Sequence, residues 1–259
     1  MIRLENVHKS FGTIQVLKGI SLSVPGNSIA AIVGGPGTGK SLLLRLMSGL
    51  EVPDAGSVII DGEDLVGLRA AALDRVRRRF GFQFQDPALF SHLTVGENVA
   101  FALRSRLHLP ESEIRGIVLE KLADVGLLGQ EEKFPDELDM GAQRRTGLAR
   151  ALALDPEIVL LDEPTLGLDP VTGWYVMNLI VRTHLERPVT SVIVTQDAER
   201  FIDVSDQVLL VYQGRIVATG SPEEIRNDAD HLIRRYMDRS FGWPVPARGR
   251  TPDESQEHS

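Results

Sequence analysis

The chain of 259 residues is 42% hydrophobic and 25% charged, the proportions of a globular protein with a large buried core rather than of a disordered chain. It contains no cysteine, which excludes disulfides, thiolate catalysis and cysteine-based zinc sites. The formal net charge of −8 at pH 7 argues against broad binding to the phosphate backbone of nucleic acids.

The distribution of apolar residues bears on cellular location. No apolar run approaches the roughly 18 residues that a membrane-spanning helix requires. The first residues also lack the continuous apolar stretch of a secretory signal. These features predict a cytosolic protein whose contact with a membrane runs through a protein partner.

Short strand-like runs open the chain, at residues 2–7, 14–17 and 20–24. Gly12 and Gly19 divide these runs and are read as breaks between strands. Apolar runs separated in this way predict an antiparallel sheet at the start of the chain.

A glycine-rich segment follows the apolar run Ile29–Val33, which predicts a buried strand, and precedes a helical pattern at residues 41–47. The segment matches G-x-x-x-x-G-K-[ST], the phosphate-binding loop, in the context that the motif needs. The predicted nucleotide site consists of Gly34, Gly35, Pro36, Gly37, Thr38, Gly39, Lys40, Ser41 and Leu42. Backbone amides and the helix N-terminus would hold phosphates, Lys40 would neutralise them and Ser41 would bind Mg²⁺. The alternative is a glycine-rich turn that only reverses the chain.

The middle of the chain, about residues 95–154, is predicted to be mostly helical. Ile114, Val118, Leu122 and Val125 recur at a spacing that places them on one helix face. We therefore expect an inserted helical subdomain here.

Buried strands and a helix alternate in the last third of the chain, which predicts a parallel sheet with crossover helices. The strands are expected at residues 158–161, 192–195 and 208–211, and the helix at 171–185. The predicted fold class is α/β, with a P-loop NTPase core on a mostly parallel sheet, an N-terminal antiparallel β subdomain and a helical subdomain. The expected boundaries are a domain over residues 1–239 and a C-terminal tail over 240–259, which lacks periodicity and is predicted to be extended or disordered.

Two carboxylates, Asp162 and Glu163, end the buried strand predicted before them. Burying them is costly unless a cation compensates the charge, and Mg²⁺ is the natural candidate beside a phosphate loop. Asp162 would bind Mg²⁺ through water or from the outer ligand sphere. Glu163 would act as a general base or orient the water that attacks the γ-phosphate. Many switches, motors and kinases share these parts, so they leave the function open.

The remaining segments resemble an ABC transporter ATPase and occur in the order of that family over nearly the whole chain. Phe11, in Ser10-Phe-Gly, matches the aromatic residue that stacks on adenine in the family, and its alternative is an aromatic at the edge of the core. Gln85 matches the glutamine of the Q-loop, which reaches Mg²⁺ and the attacking water, and its alternative is a polar residue that ends a strand. Asp169, in Leu166-Gly-Leu-Asp-Pro, matches the D-loop aspartate at the dimer interface.

Within this family the chain most resembles the ATPases of Mla-type, or MCE-associated, lipid transporters. The similarity is carried by segments 89–90, 94–99, 144–145, 148–154 and 244–246. It implies an ATPase that binds ATP and Mg²⁺, pairs with a second ATPase subunit beneath an integral-membrane permease, and lies on the inner face of the inner membrane. A homodimer is implied, with a heterodimer left open, and the C-terminal tail would reach the partner subunit. Phospholipid is the implied cargo, with an MCE-type lipid-binding protein as a further partner and no nucleic acid.

The family's signature segment LSGGQ, which in a closed dimer faces the γ-phosphate held by the other subunit, is altered here. The matching residues are Leu138, Asp139, Met140, Gly141 and Ala142. Asp139 replaces a hydroxyl donor with an anion, and two like charges 4 Å apart cost roughly 4 kcal/mol at an effective dielectric of about 20, an upper-end illustration. Met140 adds a side chain where glycine would let the backbone approach. The alternative for Asp139 is an ordinary N-cap that stabilises its own helix by about 1 kcal/mol.

A second departure lies at Gln196, where the family usually has the switch histidine. Glutamine can donate a hydrogen bond to phosphate, but it cannot carry a charge. The chain is therefore expected to be either a transporter ATPase with catalytic Glu163, Gln85 and Gln196, or an ATP-binding structural or regulatory subunit with weak or no hydrolysis. Intact Lys40 and Asp162 favour the first reading, and the altered signature favours the second. A cassette protein that acts on nucleic acid fits the acidic charge poorly.

Overall fold

The computed structural model describes residues 2–187, 189–230 and 233–234. Within these ranges the chain forms two sheets and two hydrophobic cores. The strands in chain order are β1 (Ile2–Phe11), β2 (Ile14–Val24), β3 (Ile29–Val33), β4 (Ala55–Ile60), β5 (Glu63–Asp64), β6 (Phe80–Gln83), β7 (Ile158–Asp162), β8 (Thr190–Thr195), β9 (Gln207–Tyr212) and β10 (Arg215–Gly220). The helices are α1 (Lys40–Met47), α2 (Ala70–Arg77), α3 (Val95–Arg106), α4 (Glu111–Asp124), α5 (Met140–Leu152), α6 (Pro170–Glu186), α7 (Ala198–Phe201) and α8 (Pro222–Arg226).

The smaller sheet has the order β2-β1-β4-β5, and all of its neighbouring strands are antiparallel. This confirms the predicted antiparallel sheet. The predicted break at Gly19 is wrong, because β2 continues unbroken through it. Gly19 has a φ of 80°, and the β1–β2 register shifts nearby, so the glycine accommodates a bulge instead of ending the strand.

The larger sheet has the order β10-β9-β3-β8-β7-β6 and is parallel except at the β9–β10 pair. Every residue of β3, β7 and β8 is buried, as expected for strands that are covered on both faces. The registers pair Val33 with Thr195 and Asp162 with Val194. The carboxyl ends of three adjacent strands therefore meet at one edge, which is where parallel α/β sheets place ligands.

Three long helices, α3, α4 and α5, occupy the predicted helical region. Ile114, Val118, Leu122 and Val125 are all buried, which confirms the face that their spacing predicted. Helix α3 begins with a capping box between Thr94 and Glu97, and α5 also packs on β6 of the main sheet. Helix α5 thus connects the helical region to the nucleotide-binding core.

The contact between α5 and β6 depends on Gly81. A Cβ there would lie 2.1 Å from the carbonyl oxygen of Ala151 and 2.9 Å from Cγ of Pro156. We expect Gly81→Ala to lower the free energy of unfolding by about 1–3 kcal/mol, because a backbone atom blocks the added methyl group. Gly116 of α4 is the matched control, since a Cβ there meets no atom within 4 Å. Gly116→Ala should raise stability by about 0.5–1 kcal/mol, and equal urea midpoints for the two variants would contradict this account of the contact.

No helix in residues 2–187, 189–230 and 233–234 is long and apolar enough to cross a bilayer. The predicted C-terminal tail, residues 240–259, lies outside the described residues.

Candidate functional site

The phosphate-loop sequence connects the end of β3 to the start of α1. Gly39 precedes the helix with a φ of 97°, in the left-handed region that favours glycine, and a Cβ there would lie 2.7 Å from Cδ2 of Leu17. Helix α1 has no side-chain cap and no acidic residue in its first turn. Its first amide groups are therefore not neutralised by a neighbouring carboxylate and can serve an anion.

Lys40 lies inside this loop. Its Nζ donates hydrogen bonds to the carbonyl oxygens of Gly34 at 2.8 Å and Gly35 at 2.9 Å, and it lies 3.7 Å from Oε1 of Glu163. The residue is only 6% exposed. Burial lowers the pKa of the Lys40 ammonium, and the carboxylates of Glu163 and Asp162 oppose that shift. An anion such as a phosphate would favour the charged form of this buried cation.

Ser41 and Asp162 lie side by side at the carboxyl end of the sheet. The Ser41 hydroxyl donates a hydrogen bond of 3.0 Å to Oδ1 of Asp162. Burial raises the pKa of Asp162, and the hydrogen bond from Ser41 opposes the shift. The donors are hard oxygens, and a buried carboxylate is stabilised by a cation, so the pair fits Mg²⁺. No group of three or more His, Cys, Asp and Glu side chains that could hold a metal occurs in the described ranges, so an ion here would take its other ligands from phosphate and water.

Glu163 is buried, with an exposed fraction of 4%, and its backbone is unusual. Its φ is 48°, a left-handed conformation that non-glycine residues seldom adopt. Its amide donates to the carbonyl of Val194 at 2.9 Å, and its Oε2 accepts a hydrogen bond of 3.0 Å from the amide of Gln196. Neighbouring strands therefore fix the carboxylate next to the phosphate loop.

A cavity of about 410 Å³ opens over the loop. It is lined by Phe11, Val16, Pro36, Gly37, Thr38, Gly39, Lys40, Ser41, Leu42, Arg45, Gln85, Glu163 and Gln196. Phe11 is half exposed at its edge, with Nζ of Lys9 at 5.5 Å from the ring centroid. Around this one cavity the fold thus brings together side chains from four distant parts of the chain: the first strand, the predicted Q-loop, the end of β7 and the residue after β8.

Sequence reasoning missed Val16 and Arg45 in this lining. Arg45 lies one helical turn beyond Ser41 on α1, so the i, i+4 spacing could have identified it. Val16 carries no comparable signal, because its position depends on how β2 packs against the loop; a Cβ at Gly39 would lie 3.1 Å from its Cγ1.

The altered signature segment does not line this cavity. Asp139 is the N-cap of α5, and its Oδ1 accepts a hydrogen bond of 2.7 Å from the amide of Ala142. Met140, the first residue of the helix, is 54% exposed. A Cβ at Gly141 would lie 3.1 Å from Oδ1 of Asp139. The N-terminus of α5 therefore already donates a hydrogen bond to a carboxylate of its own chain.

Asp169 also lies away from the cavity lining. It is the N-cap of α6, and its Oδ1 accepts hydrogen bonds of 3.0 Å from the amides of Val171 and Thr172. Hydrogen bonding with the Thr172 side chain, and then with the amides of Thr172 and Val171, lowers the pKa of the Asp169 carboxyl group.

The fold and the site define a P-loop nucleotide-binding protein. The family model described as ABC transporter matches residues 17–166 of the chain. The chain belongs to this family, as the ATP-binding part of an ABC transporter.

Two relatives that are named as ATP-binding proteins of transport systems match most of this chain. "Probable ribonucleotide transport ATP-binding protein mkl" of Mycobacterium tuberculosis is 40% identical over 236 residues, which cover 91% of this chain and 66% of mkl. The chain thus spans about two-thirds of the length of that relative. "Intermembrane phospholipid transport system ATP-binding protein MlaF" of Escherichia coli K12 is 36% identical over 248 residues, which cover 96% of this chain and 92% of MlaF.

Solved structures confirm the ABC ATPase fold. The dimeric, post-hydrolysis structure of the ATP-binding cassette MJ0796 bound to ADP and Pi superposes with a TM-score of 0.81 at 32% identity, covering 86% of this chain and 99% of MJ0796. The structure of cbiO1 from Clostridium perfringens, part of the ABC transporter complex cbiONQ, gives a TM-score of 0.78 at 29% identity, covering 92% and 95% of the two chains.

Proposed function

We propose that the chain binds ATP with Mg²⁺ at the phosphate loop and hydrolyses it to drive a membrane permease whose cargo is phospholipid. The observation that carries the proposal is a pair of buried charges beside the phosphate loop, Lys40 at the start of α1 and Asp162 at the end of β7. Lys40 is stabilised by an anion and Asp162 by a cation, and MgATP provides both.

Each chemical role follows from a position in the site. Lys40 turns from the loop carbonyls to the β- and γ-phosphates, which also accept hydrogen bonds from the first amides of α1. Ser41, Asp162 and Gln85 would hold Mg²⁺, and the ion would supply positive charge to neutralise the charge that develops on the phosphates. Glu163 orients or deprotonates water, and Gln196 donates a hydrogen bond to the γ-phosphate. Phe11 stacks on the base.

The site is completed in a dimer. The segment 138–142 does not line the cavity of its own chain, and the MJ0796 cassette is dimeric with ADP and Pi bound. We propose a homodimer in which Asp139, Met140 and Gly141 of each subunit face the nucleotide of the other, with Asp169 at the interface. We further propose an ATPase domain over residues 1–239, with the helical subdomain inserted at about 95–154, and domain boundaries that assign residues 240–259 to a C-terminal tail.

The similarity to MlaF supports the phospholipid cargo, because it extends over nearly the full length of both chains. The cassette would then lie at the inner face of the inner membrane, bound to its permease and serving an MCE-type lipid-binding protein. The name of mkl supports ribonucleotides as the competing cargo, although this chain spans only 66% of mkl.

A second function, an ATP-binding subunit with weak or no hydrolysis, is favoured by the hydrogen bond from Ala142 to Asp139. That bond occupies an amide which an anion at the helix N-terminus would use, and it places a negative charge there. Both functions share the same nucleotide pocket and differ in turnover.

The cargo is tested with the complex of this chain and the permease that purifies with it, reconstituted into vesicles that contain fluorescent phospholipid. MgATP should drive phospholipid transfer to acceptor vesicles at a rate well above that of the same complex carrying Glu163→Gln, which keeps the shape of the side chain but removes the base. ATP-dependent uptake of labelled ribonucleotide without lipid transfer would instead assign the cargo suggested by mkl.

A further inference from the structure

Arg144 of α5 reaches the backbone of Glu163. Its Nη1 donates to the Glu163 carbonyl oxygen at 3.4 Å, and the amide of Leu166 donates to the same oxygen at 3.1 Å. Glu163 holds a φ of 48°, a conformation that persists only where surrounding contacts enforce it. These two donors act on the C-terminal side of the strained residue, and the amide bond to Val194 acts on the N-terminal side.

The Arg144 guanidinium is partly buried and incompletely bonded. Its Nε is inaccessible to solvent and has no hydrogen-bond partner among the described residues. Burial lowers the pKa of Arg144, and the carboxylates of Asp86 and Glu163 oppose the shift. A partly buried cation with an unsatisfied donor is costly in a folded protein, so the position of Arg144 depends on the contacts that it does make.

Helix α5 also holds the chain on both sides of Gln85. The side-chain amide of Gln83 donates to the carbonyl oxygen of Arg144 at 3.3 Å. Beyond Gln85, Arg150 donates to the carbonyl oxygens of Pro87 at 2.6 Å and Ala88 at 2.8 Å. One helix, which begins at the signature segment, therefore contacts both the carboxylate residue and the loop that reaches the nucleotide.

We infer that Arg144 is a positioning residue for hydrolysis, which fixes the backbone of Glu163 and transmits the position of α5 to it. Arg144 does not line the nucleotide cavity, so it acts through Glu163 and not on ATP. The inference rests on the proposed role of Glu163 in hydrolysis. It predicts an effect on the chemical step without an effect on nucleotide binding.

Arg145 offers a matched control on the same helix. It is also partly buried, its Nε likewise has no partner among the described residues, and its Nη1 donates to two carbonyl oxygens, of Val125 at 2.9 Å and Gly126 at 3.1 Å. Those bonds hold the loop after α4 and not Glu163. Arg144→Gln and Arg145→Gln thus remove similar side chains from one helix, and only the first touches the carboxylate residue.

The test is single-turnover hydrolysis of MgATP by the full chain in excess over nucleotide, with MgATP affinity measured by calorimetry. Arg144→Gln should lower the single-turnover rate about tenfold while the affinity stays within about twofold of the parent, and Arg145→Gln should leave both unchanged. If Arg144→Gln does not fold, Arg144→Lys replaces it, because lysine keeps the charge but lacks the planar fork, and a rate about threefold below the parent is expected.

Three results would overturn the inference. One is a parental rate in the folded Arg144 variant, and another is an equal loss of rate in the Arg144 and Arg145 variants, which would show a general effect on α5. The third is no hydrolysis by the parent chain, which would overturn the proposed ATPase activity as well. If the parent hydrolyses ATP and the Arg144 variant has the same single-turnover rate, this inference is overturned and the proposed ATPase activity stands.

Discussion

Replacing Lys40 with methionine is expected to weaken MgATP binding by about a hundredfold or more and to abolish hydrolysis. Methionine keeps the apolar stem of the side chain but removes the ammonium, which lies 3.7 Å from Glu163 and at hydrogen-bond distance from two loop carbonyls. Two lost charge-assisted hydrogen bonds to phosphate, worth about 1.5–3 kcal/mol each, account for that factor. Calorimetric titration with MgATP measures the binding, and phosphate release measures the hydrolysis.

Lys121 supplies the control for removing a buried lysine. It is 7% exposed, against 6% for Lys40, and is paired with Asp155 at 3.0 Å and Glu120 at 3.2 Å, outside the nucleotide cavity. Lys121→Met should lower thermal stability because it breaks these pairs, and it should leave MgATP affinity unchanged. An affinity of Lys40→Met within about threefold of the parent, which is less than 1 kcal/mol, would refute the proposed phosphate site.

Restoring the signature segment with Asp139→Ser and Met140→Gly is expected to raise steady-state ATP turnover by about tenfold to a hundredfold. The change removes a negative charge and returns a hydroxyl donor and a flexible backbone to the segment that we propose faces the partner's nucleotide. Single donors of this kind contribute about 100-fold or more to transition-state stabilisation in other enzymes, so a gain of this size is reasonable. Serine is also a good N-cap, so the free energy of unfolding should change by no more than about 1 kcal/mol.

The single change Asp139→Asn separates charge from helix capping. Asparagine has the same shape and caps helices as well as aspartate does, so the bond to the amide of Ala142 can persist while the charge is lost. If ATP turnover rises in Asp139→Asn, the negative charge of Asp139 is the cause of slow hydrolysis in the parent chain. If the parent already turns over rapidly and neither variant is faster, Asp139 serves only as a cap of α5, and the argument for impaired hydrolysis fails.

These experiments bear on different parts of one site. The Lys40 variant tests whether this site binds the nucleotide. The Asp139 variants test whether the signature segment limits hydrolysis. The Arg144 variant tests whether the helical region positions Glu163. If Lys40 is needed for MgATP binding but a restored signature does not raise ATP turnover, the chain is an ordinary ATPase in which Asp139 only caps α5. A strong gain in turnover would show that the signature segment limits hydrolysis in the parent chain.

The elements that the sequence missed are short or lie at edges. The sequence pattern did not predict the strands β4, β5, β6 and β10 or the helices α2, α7 and α8, because two to eight residues give too little periodicity. The strand break predicted at Gly19 was wrong for another reason. Glycine occurs at β-bulges as well as at strand ends, and only the pairing of β1 with β2 shows that Gly19 lies at a bulge.

Local patterns in the sequence were enough to predict the phosphate loop, the buried strands and the two carboxylates at the end of β7. These patterns are a fixed spacing of glycines before Lys40, all-apolar runs and a helical repeat. The tertiary structure decided which distant residues share the site. The meeting of Ser41 with Asp162, the place of Arg45 and Val16 in the cavity and the reach of Arg144 to Glu163 depend on strand order and helix packing. These contacts leave no periodic trace along the chain, because residues 19 positions apart, as Arg144 and Glu163 are, or 121 positions apart, as Ser41 and Asp162 are, meet only through the packing of the whole core.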